Sequence, residues 1–303
     1  MALTKPGALN DLLTPEAIAK NTARQGFQKL PYFDQVVQEA ADPGLIAQGK
    51  QRTCGATTVE YLLAKENPAE FVRLAAGLAS PTGKVKMAGG KEADAIVTDS
   101  VKLDASGRSD VDRLLQSAFM DKGRLFSFWH YNNPTDSGSF LPAIDIPFSD
   151  LHSGWSDFTY DINGLFPTEL PNILKQALGE KYDMKMISFT NDWLQQIKAS
   201  LAQGKMVPVL TDYTSSTSIM SIPRQITNDL HYLAVVGIDE KNQTITLRNP
   251  WGAKEQAGPN DDPDFGPLPP RKLAPGADAG TVTMSLAEFK KIAETIFPYR
   301  PGS

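Results

Sequence analysis

The hydrophobic period changes partway along this chain. After Cys54, the residues Ala56, Val59 and Leu63 recur at helical spacing, and Val111, Leu114, Leu115 and Ala118 do so again, as one stripe of a helix does when it faces a core. Further on the apolar residues gather instead in short β-branched runs, Met206 to Leu210, Tyr232 to Ile238 and Thr244 to Leu247, which read as strands. Helices followed by strands imply an α+β chain with an antiparallel sheet.

The spacing predicts helices starting at Thr14-Pro15-Glu16 and running over Phe33 to Ala40, Cys54 to Lys65, Pro68 to Leu78, Asp110 to Met120, Glu169 to Leu178, Trp193 to Ala202 and Leu286 to Ile296. Strands are expected over Met184 to Ser188, Met206 to Leu210, Tyr232 to Ile238, Thr244 to Leu247 and Val282 to Met284. Residues 132–161 and 253–279 are dense in Pro, Gly and Asp and read as an inter-lobe crossing and a long loop. The expected organisation is an N-terminal helical segment over 1–47, a helical lobe over 48–150 and a β-rich lobe over 151–303.

Charge and composition exclude several functions. A formal charge of −5, with no basic run beyond pairs such as Lys290-Lys291, argues against nucleic acid as a partner, because that affinity rests on clustered Lys and Arg. Hydrophobic residues at 41% and charged residues at 21% are ordinary for a soluble globular chain. No run is long and apolar enough for a membrane span, and Met1 to Pro6 lacks the pattern of a secretory signal. The expectation is a cytoplasmic protein, or one exported without a cleavable signal.

Cys54 is the single cysteine, so an intramolecular disulfide is excluded, and the three histidines, His130, His152 and His231, lack the spacing of a thiolate zinc site. Lys84 to Lys91 ends in Gly89-Gly90-Lys91 but fails the phosphate-loop spacing and reads as a flexible polar loop. Asn260 to Asp264 lacks the spacing of a calcium-binding EF-hand and reads as a solvated acidic loop. Neither a cofactor nor a metal is expected.

What remains is a thiol with partners. Cys54 is placed at the start of a helix, where unpaired N–H groups and the helix dipole favour a thiolate. Gln48 lies six residues upstream, suited to donate to a developing oxyanion. His231 opens an apolar strand that would hold a base rigidly, and Asn249 follows the next strand, so a hairpin returns it beside His231. Trp251 would shield the pair from water. His130 and His152 have no following strand and asparagine and read as structural or surface residues.

Together Gln48-Gly49 before Cys54, His231 at the head of its strand, Leu247-Arg248-Asn249-Pro250-Trp251-Gly252, and Gly280 to Ser285 before a helix containing Phe289 resemble the papain-like cysteine proteases, and among them the calpain-type core. Gly55 stands where those proteins usually carry Trp. The resemblance implies a two-lobed fold with a cleft between the lobes, and hydrolysis of amide bonds in a protein or peptide substrate through Cys54, His231 and Asn249, with Gln48 in the oxyanion hole. The same groups serve an isopeptidase, a deamidase or a transglutaminase-like bacterial effector or toxin. A non-catalytic binding module that keeps the fold is the alternative of a different class. The sequence leaves the oligomeric state open.

Overall fold

A computed structural model describes residues 32–49, 53–80, 82–95, 107–123, 165, 167–189, 191–212, 230–252 and 280–300. The expected helix at Thr14, both expected loops, His130, His152 and Asn260 to Asp264 lie outside these residues. Helix α1 spans Tyr32–Ala41 and is followed by a 3-10 turn at Pro43–Leu45; α2 spans Cys54–Glu66, α3 Pro68–Leu78, α4 Asp110–Gly123 and α5 Leu170–Leu178. Asn67 ends α2 and starts α3, where its side chain accepts from the Glu70 N–H and Pro68 occupies the first turn, the position in which a missing N–H costs nothing.

The strand-rich part builds one antiparallel sheet. Its strands are β3 (Ile187–Ser188), β4 (Val207–Asp212), β5 (Leu230–Asp239), β6 (Thr244–Arg248), β7 (Thr281–Ser285) and β8 (Ala293–Ile296), with α6 (Trp193–Leu201) and α7 (Leu286–Ile292) inserted along the chain. The spatial order is β3-β8-β4-β5-β6-β7, so β5 is paired on both sides, with Val209 opposite Leu233 and Val235 opposite Leu247.

Alternation along the strands divides the apolar residues between two cores. Met206, Leu210, Tyr232 and Ala234 join the helices α1 to α5 in one cluster, while Val207, Val209, Leu233 and Val235 join Trp193, Ile197, Leu286 and Phe289 in the other. Successive side chains on a strand point to opposite faces, so the sheet carries the helical layer on one face and α6 with α7 on the other. The expected mixture of helix and sheet is observed.

Two expectations are corrected. The last helix stops at Ile292, after a capping box between Ser285 and Glu288, and Ala293–Ile296 continues as a strand, because Ile296 pairs opposite both Ile187 and Val209 inside the sheet. The polar loop at Lys84 is instead part of a hairpin of β1 (Lys84–Lys86) and β2 (Glu92–Asp94). Its turn presses on α5, where the Gly89 N–H donates to Gln176 O at 2.9 Å and a side chain on Gly89 would strike the Gln176 backbone at 2.7 Å. That contact accounts for the glycine at position 89. No helix among the described residues is long and apolar enough to cross a membrane.

Candidate active site

The hairpin of β5 and β6 brings His231 and Asn249 together as expected. His231 Nε2 lies 3.0 Å from Asn249 Oδ1, and both residues are buried, at 4% and 3% exposure. The Trp251 backbone N–H donates to the same Oδ1 at 3.1 Å. A backbone N–H can only donate, so that atom of Asn249 is its oxygen, and His231 must present Nε2–H to it. The tautomer is thereby assigned, and Nδ1 becomes the basic nitrogen of the ring. The Trp251 indole covers the ring, with centroids 4.6 Å apart and planes tilted by 33°.

Cys54 opens α2 and is half-buried. Its preceding residue, Thr53, stands at the N-cap but makes no side-chain capping bond; its hydroxyl donates instead to Gln116 Oε1 at 2.7 Å. The first turn of α2 therefore keeps its dipole end without a hydroxyl cap from Thr53.

The start of α2 packs on the start of β5. A side chain on Gly55 would meet Tyr232 Cδ2 at 3.2 Å and Leu165 Cβ at 3.1 Å. Burial pushes the Tyr232 phenol far above its ordinary range, and Cys54 is the next contributor. Residues adjoining Cys54 and His231 thus touch. A side chain larger than hydrogen at position 55 would press on Tyr232 and Leu165, which must shift to admit it.

Gln48 is buried at 6% exposure, and its segment is held from two sides. On the strand side the Gln48 N–H donates to Pro250 O at 2.8 Å, and the buried Arg248 guanidinium donates to Gly44 O, Ile46 O and Asn249 O. On the helical side the Ala47 N–H donates to Asp112 Oδ2 at 3.2 Å and Gln116 Nε2 donates to Ala47 O at 3.0 Å. Gly280 permits the strand-side clamp: its φ is +76°, and a Cβ there would fall 1.6 Å from Arg248 Nη1.

Arg248, Asp112, Gln116 and Thr53 were not among the expected site residues. Arg248 sits inside the Leu247-to-Gly252 motif, beside the asparagine, and that adjacency was its only signal. Gln116 had none, because α4 is buried around nearly its whole circumference and a periodic stripe cannot single out one interior amide.

Beneath Ala47, the carboxylates of Glu39, Glu60 and Asp112 are buried, with one oxygen of each within 4.8 Å of the others. Burial pushes Asp112 up to about 7, and burial followed by the neighbouring carboxylates raises Glu39 and Glu60 well above the usual range. Three such groups favour shared protons over three full charges.

The α+β scaffold thus presents a half-buried thiol at a helix start, an imidazole oriented by an asparagine, and a glutamine on a clamped segment. The family described as Peptidase_C39 like matches residues 151–263, less than half of the chain; the stretch holds His231 and Asn249 and begins after Gln48 and Cys54. The match supports a papain-like cysteine peptidase, and it does not point to the calpain-type core. A crystal structure described as that of a C39-like peptidase from Bacillus anthracis aligns at 14% identity and a TM-score of 0.24, over 46% of this chain and 62% of that one. The aligned part spans less than two thirds of the Bacillus anthracis chain. No curated protein matches in sequence.

Proposed function

We propose that the protein is a papain-like cysteine peptidase that hydrolyses amide bonds in a protein or peptide through Cys54, His231 and Asn249. The observation that carries this reading is the His231–Asn249 hydrogen bond, which leaves Nδ1 basic on a strand whose next residue packs against the residue after Cys54. Nδ1 takes the thiol proton, and the thiolate, favoured by the dipole of α2, attacks the carbonyl carbon. The carbonyl oxygen becomes an oxyanion, held by the Gln48 amide and the Cys54 N–H. The C–N bond then breaks as the imidazolium gives its proton to the leaving amine. Water, deprotonated at Nδ1, attacks the thioester and releases the acid and the thiol.

Two lobes meeting at a cleft, with the helical part supplying Gln48 and Cys54 and the sheet supplying His231 and Asn249, is the arrangement this mechanism needs.

The test is the rate of Cys54 labelling by iodoacetamide between about pH 5 and 9, a range that spans an ordinary thiol's titration, together with cleavage of fluorescently labelled casein. Fast labelling at mildly acidic pH that is lost in His231→Ala, and casein cleavage that is lost in Cys54→Ala, are the expected results. Labelling no faster than that of a free thiol, or casein cleavage retained by Cys54→Ala, overturns the proposal.

A further inference from the structure

Between the segment that carries Gln48 and the helix that starts at Cys54 lies one buried amide, that of Gln116. Its Nε2 donates to Ala47 O at 3.0 Å and to Glu60 Oε2 at 2.9 Å; its Oε1 accepts from Thr53 Oγ1 at 2.7 Å and from Arg108 Nη1 at 3.1 Å. A primary amide has two N–H donors and two acceptor sites on oxygen, and all four are used. The amide cannot be turned over, because a guanidinium only donates and a carbonyl only accepts.

Ala47 and Thr53 are the residues immediately before Gln48 and Cys54. One rigid side chain on α4 therefore spans the two backbones whose neighbours would supply the oxyanion donors. The tie is fully buried, with Gln116 and Thr53 both at 0% exposure, so water does not compete for it.

We infer that Gln116 is a positioning residue that sets the separation between the Gln48 amide and the Cys54 N–H, acting through Ala47 O and the Thr53 hydroxyl. It touches neither thiol nor imidazole in this role. The inference rests on the reading of Gln48 and Cys54 given above. Donors aimed at an oxyanion work only when held at hydrogen-bond distance from where the charge develops. Loosening the tie should therefore weaken capture of a tetrahedral adduct, while the thiolate, which depends on His231 and the helix dipole, keeps its reactivity.

The experiment uses the full chain and two probes. Iodoacetamide alkylates the thiolate by direct displacement and needs no oxyanion hole. N-acetylglycinal, an aldehyde with no side chain to fit, adds reversibly to the thiol and places a hemithioacetal oxygen among the same donors; it is read by how far it slows alkylation. Gln116→Met removes the whole tie at similar volume, and Thr53→Val removes only the hydroxyl donor.

In both variants the alkylation rate and its pH profile should match the wild type, and the aldehyde concentration needed for half-protection should rise about tenfold or more. Thr53→Ser, which keeps the hydroxyl, should restore wild-type protection. Protection within about twofold of wild type in Thr53→Val and Gln116→Met overturns the inference, since a lost donor alignment costs far more. So does a fall in alkylation that keeps step with lost protection, which would mark general support of α2. If Gln116→Met does not fold, Thr53→Val decides. Fast wild-type alkylation that the aldehyde leaves unchanged overturns this inference alone, whereas slow wild-type alkylation removes the hydrolase reading beneath it.

Discussion

The 3.0 Å hydrogen bond between His231 Nε2 and Asn249 Oδ1 joins the start of β5 to the residue that follows β6, and the Trp251 backbone N–H completes the asparagine's acceptor. In the proposed mechanism this acceptor would stabilise the imidazolium that forms as Cys54 gives up its proton.

Asn249→Ala should lower casein cleavage by about 10- to 100-fold, part of the 10²–10⁴ that a positioned acid–base group supplies. The alkylation profile of Cys54 should move to higher pH, because the imidazolium partner of the thiolate has lost its acceptor. A profile that superimposes on the wild type would remove Asn249 from the site.

Arg248 and Gly280 form a second testable pair. Arg248→Met deprives Gly44 O, Ile46 O and Asn249 O of a charged donor and should cost at least about 3 kcal/mol in urea unfolding, at about 1.5–3 kcal/mol for each bond to a charged group. Gly280→Ala forces the guanidinium aside and should cost a similar amount. In the double variant the guanidinium is gone and only the strained φ and the 2.9 Å approach to the Gly252 carbonyl carbon remain, so the combined loss should fall short of the sum; strict additivity would show that the two residues do not share one clamp.

The buried carboxylates predict a pH dependence of stability. Asp112 is pushed up to about 7, whereas an unfolded aspartate titrates near 4. Between these values the folded chain binds the proton that the unfolded chain has released, so this contribution is complete below about pH 4 and is lost as the pH rises through about 7. The free energy of urea unfolding should therefore fall across that window, by up to about 1.4 kcal/mol per pH unit for each proton. Glu60→Gln removes a carboxyl that burial and the neighbouring Asp112 and Glu39 hold well above its usual range, and should flatten the slope. A variant with an undiminished slope would place its origin elsewhere.

Gly55→Ala brings a methyl against Leu165 Cβ at 3.1 Å and Tyr232 Cδ2 at 3.2 Å. The expected loss is about 1 kcal/mol, at the low end for overpacking, with alkylation of Cys54 close to wild type. A stabilised Gly55→Ala chain would show that the space beside the helix start is open.

The order of helices and strands was legible because each element carries a strong local period, and Pro68 to Leu78 matches its helix at both ends. The hairpin return of Asn249 to His231 was also legible, since antiparallel pairing follows from two β-branched runs and a short polar connection. Two things were not. Residues Ala293–Ile296 look helical because apolar residues continue the stripe from Leu286, and only the vacancy between β3 and β4 draws them into the sheet. The polar frame of Asp112, Gln116, Thr53 and Arg248 is assembled from residues far apart in the chain, and local periodicity carries no information about such pairings.

Strand β5 has a hydrogen-bonded neighbour along each edge and an apolar core against each face. Its amides should exchange with solvent only when the sheet as a whole opens. On warming, the imidazole's mooring should survive until cooperative melting, whereas the thiol's surroundings, moored through side chains, can loosen in small steps. Heat should thus erode turnover before it erodes the fold.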